Sequence, residues 1–311
     1  HAQRLISLVE ENENCELSYV FHPTKEIQHN KFTKNFSNLL DCDAIIIASP
    51  NKTHFEYLMK LKDYSGYIFC EKPPVVNFDE LKSLEKIEKP QKNRIFFNFN
   101  YRFSEFNEIL KKNIHSNELG DIIFVELISS QGLAFKNEYM NSWRADGENN
   151  KFNLLDTVTI HYLDLIIENF GKSTNQFYFP KLISNNGTSY DTGQLILEYE
   201  KLNVSILNSY ATPLIMELNI IGTNGQLSLK DNSLVIKTPR DTFDEKNFFI
   251  SPPIRTKKEI DLKEDYSQSL KKSLEFFINH VLNKKPINEK LFETSLETTN
   301  LIFKLRNKKN E

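Results

Sequence analysis

Within the first 102 residues, four short apolar runs (17–21, 44–48, 67–70 and 95–100) alternate with stretches of helical periodicity, and each run gives way to polar residues. An uninterrupted apolar strand needs cover on both faces, which in an alternating pattern is supplied by helices packed on a parallel sheet. The intervening segments read as helices over 1–11, near 36–40, 54–62 and 78–87. This is the first half of a doubly wound α/β fold with its opening strand absent. The chain begins at His1 inside an amphipathic stretch carrying Leu5, Ile6, Leu8 and Val9, so a segment upstream of His1 is expected.

After Arg102 the pattern changes. A helix over 105–116 leads through Leu119, Gly120 and Asp121 into a strand-like run at 122–130. A polar stretch, 131–151, precedes a long apolar-striped helix at 154–170, closed by Gly171. Strands are expected at 177–183, 193–199, 204–210 and 214–221, with a turn at Thr223, Asn224 and Gly225 and further strands at 226–229 and 233–237. Helices over 266–282 and 291–306 end the chain. The expected division is residues 1–103 as a nucleotide-binding domain and 104–311 as an α+β domain with a largely antiparallel open sheet.

The net charge of −3 and a pI near 6.2 argue against nucleic acid or an anionic membrane as partner. Three cysteines without metal-ligand spacing suit buried thiols in a reducing compartment, and no apolar run approaches the length of a membrane span. A cytoplasmic address and no bound metal are expected.

Three motifs carry candidate chemistry. Ser49, Pro50, Asn51 and His54 follow the second apolar run, where loops at strand carboxyl ends line the ligand crevice of a doubly wound sheet; Asn51 or Thr53 would serve equally as a helix cap. Cys70, Glu71, Lys72 and Pro73 end the third run. Pro73 biases Lys72 to an extended backbone, so the ammonium projects where a hydroxyl proton could be taken up; a surface lysine before a proline turn has the same sequence. On the long helix, His161 and Asp164 lie three apart and share a face, which suits a proton relay or a polar rim on a core helix. Asp156, five before His161, lies well around the helix.

In this order and spacing, these motifs resemble the family of glucose–fructose oxidoreductase and inositol dehydrogenase, often called Gfo/Idh/MocA. Ser49-Pro50-Asn51 with His54, Glu71-Lys72-Pro73, Asn100-Tyr101-Arg102-Phe103, Trp143-Arg144 and His161-Tyr162-Leu163-Asp164 carry the likeness. The resemblance implies a Rossmann domain binding NAD or NADP, with Ser49, Pro50, Asn51, His54, Glu71 and His22 on the cofactor side. It implies Lys72 and His161 in proton transfer, with Asp164 as a further catalytic candidate, and Tyr101, Arg102, Trp143 and Arg144 on the substrate side. The substrate would be a sugar, nucleotide-sugar or cyclic polyol, and a homodimer or homotetramer would form through the second-domain sheet.

The chain also departs from that pattern. No Gly-x-Gly-x-x-Gly loop occurs in these 311 residues, so the first strand and its loop are expected upstream of His1, and the chain as it stands is expected to bind dinucleotide poorly. The family usually carries an Asp four residues before the helical His; Thr157 stands there, leaving Asp156 or Asp164 to compensate. At the end of the first run, Phe21-His22-Pro23-Thr24-Lys25 holds a His and a Lys and no carboxylate, which favours NADP over NAD. The alternative reading is a non-catalytic relative that keeps the fold for ligand binding or scaffolding.

Overall fold

The computed structural model describes residues His1–Asn307. The chain forms two compact units, His1–Asn100 with Ser269–Asn300, and Tyr101–Gln268 with the segment from Leu301. The partition is thus discontinuous, whereas the sequence pattern suggested a single cut near residue 103. The last helices draw part of the C-terminal segment into the first unit.

In the first unit, β3 (Ala44–Ile47), β4 (Tyr67–Glu71) and β5 (Ile95–Asn98) form a parallel sheet in the order β3-β4-β5. Their register aligns Ile47 with Cys70 and Glu71 with Asn98, so the polar strand ends lie side by side. A separate parallel pair joins β1 (Val20–Phe21) to β2 (Phe32–Thr33). The expected strand at 17–21 is cut to two residues because only Val20 and Phe21 find a partner, and that partner had no apolar run to announce it. Helices α1 (Ala2–Glu10), α2 (His54–Lys60), α3 (Phe78–Glu85) and α4 (Lys89–Lys92) connect the strands, and the expected helix near 36–40 is a 3-10 turn, Phe36–Asp41. Asn77 caps α3 by accepting from the Glu80 amide at 2.9 Å while Glu80 accepts from the Val76 amide, a reciprocal arrangement that fixes where the helix begins.

The abundant phenylalanines act as packing wedges in this unit. Phe69 and Phe96 meet Phe277 and Phe276 of α8 (Leu262–Leu282) with ring centroids 5.4 and 5.6 Å apart, and Phe97 meets Phe292 of α9 (Glu289–Asn307) at 5.1 Å. Such pairs add about 0.5–1.5 kcal/mol each beyond area burial. Of the cysteines only Cys70 is buried, and burial pushes its thiol well up; Cys15 and Cys42 are half-buried, since each lies in a connecting turn outside the sheet.

The second unit is built on an eight-stranded sheet in the order β13-β12-β11-β10-β6-β9-β8-β7. These strands are β6 (Ile122–Ser130), β7 (Asn175–Lys181), β8 (Thr192–Glu198), β9 (Asn203–Ser209), β10 (Ile215–Gly222), β11 (Gln226–Lys230), β12 (Ser233–Lys237) and β13 (Ile254–Glu259). Every pair is antiparallel except β6 with β9. Alternate residues such as Leu195, Leu197, Val204, Ile206, Leu218 and Ile220 are fully buried, the period-two signature of a sheet covered on one face. Strand β13 was not foreseen, because its charged residues are exposed along its whole length and pairing with β12 alone defines it. The helices are α5 (Glu105–His115), α6 (Gly147–Asn150) and α7 (Ile160–Phe170), whose residues Ile160–Ile167 are all buried.

Gly120 precedes β6 at φ 71°, and a Cβ there would lie 2.4 Å from the Thr223 hydroxyl and 3.0 Å from the Asn224 amide nitrogen. Gly120→Ala is expected to cost about 1–2 kcal/mol from the left-handed backbone alone. An unchanged thermal midpoint in that variant would contradict the assignment.

Candidate active site

At the carboxyl edge of the parallel sheet, β4 delivers Glu71 and then Lys72, joined to Pro73 by a cis peptide bond. Glu71 is 8% exposed, accepts from the Asn98 amide at 2.6 Å and lies 2.7 Å from Nε2 of His1. Asn98 in turn accepts from the Ser273 hydroxyl at 2.5 Å. Burial raises the Glu71 pKa above the ordinary 4.5, opposed by the Asn98 hydrogen bond and by the charge of Lys72.

This shift has a pH signature. With its folded pKa raised, Glu71 contributes most to stability below pH 4.5, and that contribution is lost as pH rises through the folded value. Glu71→Gln keeps an acceptor for Asn98 and removes the buried charge, so its stability relative to the parent chain is expected to rise as pH climbs from 4.5 towards neutral. Urea midpoints of the two proteins that shift in parallel across this range would refute it.

The neighbouring loop is tied to this turn. His54 is fully buried, its Nδ1 lies 2.8 Å from the Pro73 carbonyl and its Nε2 lies 2.9 Å from the Ser49 carbonyl, so one imidazole bridges two strand-end loops. Thr53 donates its hydroxyl to the Ser49 hydroxyl at 2.7 Å, and its amide to the Pro50 carbonyl at 2.8 Å, closing the 3-10 turn Asn51–Thr53. His22 organises its own turn, its Nδ1 accepting from the amides of Thr24 and Lys25 at 3.2 and 2.9 Å.

In the second unit, the expected single α-helix at 154–170 begins as a π-helical turn, Leu155–Thr159, before continuing as α7. Leu155 and Thr159 of that wider turn are buried. Asp156 is turned onto Arg306, whose Nε donates to it at 2.8 Å, and Thr157 lies 3.1 Å from the Tyr210 phenol.

His161 stacks on Tyr101, with centroids 4.5 Å apart and planes at 20°. Tyr101 makes edge contacts with Tyr162 and Tyr266 at 5.3 and 5.6 Å, and Tyr162 donates its hydroxyl to Ser129 at 2.8 Å. Burial pushes the Tyr101 phenol well up and that of Tyr162 to about 12, so both stay protonated. A cavity of about 10 Å³, the room for roughly one water, lies among Tyr101, Tyr162, Met216, Asp265 and Tyr266.

Arg102 and Asp164 form a bidentate ion pair, with Nε and Nη2 each 2.6 Å from a carboxylate oxygen and side chains 2% and 1% exposed. Arg102, expected on the substrate side, and Asp164, expected in catalysis, are charge partners of one another, and burial of either charge calls for such a partner. Trp143 is 49% exposed with the Arg144 guanidinium 4.6 Å from its ring centroid. Sequence reasoning gave no role to Tyr162, Tyr210, Asn98 or Ser273, whose hydroxyl and amide partners come from elements remote in sequence. Among the described residues no group of His, Cys, Asp and Glu is arranged to hold a metal, and no helix is long and apolar enough to cross a membrane.

Residues 2–99 match the family model described as an oxidoreductase family with an NAD-binding Rossmann fold, and residues 108–228 match the GFO/IDH/MocA C-terminal domain. The chain belongs to the Gfo/Idh/MocA oxidoreductase family. Among its Gfo/Idh/MocA relatives is a glucose-6-phosphate 3-dehydrogenase of Bacillus subtilis, 26% identical over 57% of this chain and 51% of the relative. Another is an inositol 2-dehydrogenase of Rhizobium meliloti, 25% identical over 51% of this chain and 47% of the relative. These matches thus span about half the length of the curated relatives. The fold is shared with an Agrobacterium radiobacter oxidoreductase solved with NAD+, L-tartaric acid and magnesium (TM-score 0.76, 15% identity, 97% of this chain and 91% of that one). It is shared also with myo-inositol 2-dehydrogenase of Lactobacillus plantarum (TM-score 0.72, 18% identity, 98% and 94% covered).

Proposed function

We propose that this protein is an NAD(P)-dependent dehydrogenase or reductase acting on a ring hydroxyl or ketone of a sugar, nucleotide-sugar or cyclic polyol. The observation that carries the reading is the braced strand end, with Lys72 following a buried Glu71 and the Pro73 carbonyl bridged through His54 to the Ser49 loop. Family membership and the names of the sugar and inositol dehydrogenases support the substrate class.

The residues present fit one part of a dinucleotide, and these 311 residues hold no Gly-x-Gly-x-x-Gly loop for its pyrophosphate. Ser49, Pro50 and Asn51 offer hydroxyl and amide groups in a loop already held by His54 and Thr53, at the sheet edge where such ligands bind. The segment 21–25, which carries His22 and Lys25 and no carboxylate, favours NADP. When bound, the nicotinamide would accept or return the hydride. Lys72 takes the proton from the reacting hydroxyl, or returns it in reduction; His161, its ring plane fixed by Tyr101, orients that oxygen and relays the proton. The open sheet, with Phe177 and Phe179 38% and 45% exposed on its β7 edge, is where two or four copies would associate.

Expression from the gene's own start codon, followed by nicotinamide absorbance with a panel of sugars and cyclitols, tests the reading. Turnover on at least one member is expected. NADP binding without turnover on any of them would favour the non-catalytic alternative, to which the commitment of Asp156 to Arg306 lends support.

A further inference from the structure

His54 is fully buried, and both of its ring nitrogens face carbonyl oxygens, Nδ1 that of Pro73 at 2.8 Å and Nε2 that of Ser49 at 2.9 Å. A carbonyl oxygen only accepts. A neutral imidazole carries a single N–H, so in either tautomer its bare nitrogen would set a lone pair against a carbonyl lone pair inside the protein. A doubly protonated ring donates to both. Two contacts this short, each to an acceptor, are what an imidazolium makes, and ring protons are assigned from such partners.

A buried cation calls for an opposite charge nearby, and the strand end supplies one. Glu71 lies two residues before Pro73 and is 8% exposed. Burial raises its pKa, while the Asn98 hydrogen bond and the charges of Lys72 and His54 pull it down. His1 of the first helix sets a ring nitrogen 2.7 Å from the same carboxylate. On the helix of His54 itself, Glu56 pairs with Lys60 at 2.6 Å and, like Lys52, is exposed. The cation of the strand-end turn is Lys72, bonded directly to the proline whose carbonyl His54 holds.

We propose that His54 is a buried imidazolium and a positioning residue for Lys72: it fixes the Pro73 carbonyl, and its charge favours the neutral amine that takes the proton from the reacting hydroxyl. The ring protons follow from the two carbonyl contacts alone, whereas the effect on Lys72 rests on the proposed function. Like charges disfavour one another's ionised forms, so a fixed cation at this turn raises the fraction of neutral lysine near neutral pH. A bridge without charge would hold the two loops together and leave the pH dependence of the reaction where it was.

The full-length protein, carrying isotope-labelled histidine, would be studied by NMR at neutral pH, with the His54 signals identified by their loss in His54→Gln. One-bond N–H couplings at both ring nitrogens of His54 are expected, and a ring nitrogen without a proton overturns the proposal. Neutron diffraction from crystals of the parent protein locates the same two protons should the variant not fold. His54→Gln and His54→Asn each keep an amide donor and remove the charge. In both, the rise of kcat with pH in the oxidative direction is expected to move upward by about one pH unit. A loss of kcat by the same factor at every pH, with the profile unmoved, overturns the electrostatic role. The ring protons are read without turnover, so failure of the proposed activity and failure of this inference are separate results.

Discussion

Replacing Lys72 by alanine is expected to lower kcat by about two to four orders of magnitude, the usual contribution of a positioned proton acceptor. The effect on KM should be small by comparison, since the reacting proton is lost in the transition state and other groups hold the ring. Lys72→Arg sharpens the result. Arginine retains the positive charge but does not give up its proton in proteins, so if Lys72 acts by proton transfer the arginine variant stays slow, whereas a purely electrostatic role would let it recover. Turnover by the alanine variant within twofold of the parent, on any sugar the parent accepts, would remove Lys72 from the chemistry. The surrounding geometry argues that such a loss would be local. Glu71 remains held by Asn98, and His54 still bridges the Ser49 and Pro73 carbonyls, so the strand end keeps its shape.

The second large effect concerns stability. Arg102→Met is expected to destabilise the second unit by about 3–5 kcal/mol, because it strands the Asp164 carboxylate in a site where that side chain is 1% exposed. Asp164→Asn is expected to be costly for the same reason, with the guanidinium left behind. Combining Arg102→Met with Asp164→Leu should recover most of the loss, since no uncompensated charge then remains. Urea unfolding of the three variants, followed by the fluorescence of Trp143 in the same unit, checks this. Single variants unfolding at the parent midpoint would refute it. His161 lies one helical turn before Asp164, so the single variants are expected to lose activity as well as stability if α7 shifts.

Much of the frame was legible from residue pattern. Period-two burial marked β8, β9 and β11, continuous apolar runs marked β3 to β5, and Gly171, at φ 75°, ended α7 where the glycine signal put it. Patterning works there because one buried face imposes its period on the sequence. It failed at β2 and β13, short or fully exposed strands that exist only through the backbone bonds a partner offers. It failed also at the π turn, where hydrophobic spacing suits a helix of either pitch.

The sequence by itself determined the two fold types, the ordered motifs and the position of Glu71 and Lys72 at a strand end. Side-chain partnership was decided only in three dimensions. Sequence spacing put Asp164 on the face of His161 and Asp156 well around the helix, and tertiary packing pairs Asp156 with Arg306 and Asp164 with Arg102, residues 150 and 62 positions away. The same packing set the Tyr210 phenol 3.1 Å from the Thr157 hydroxyl. Local periodicity says which face a residue occupies; the free energy of burying a charge is settled by whichever opposite charge the fold brings within reach.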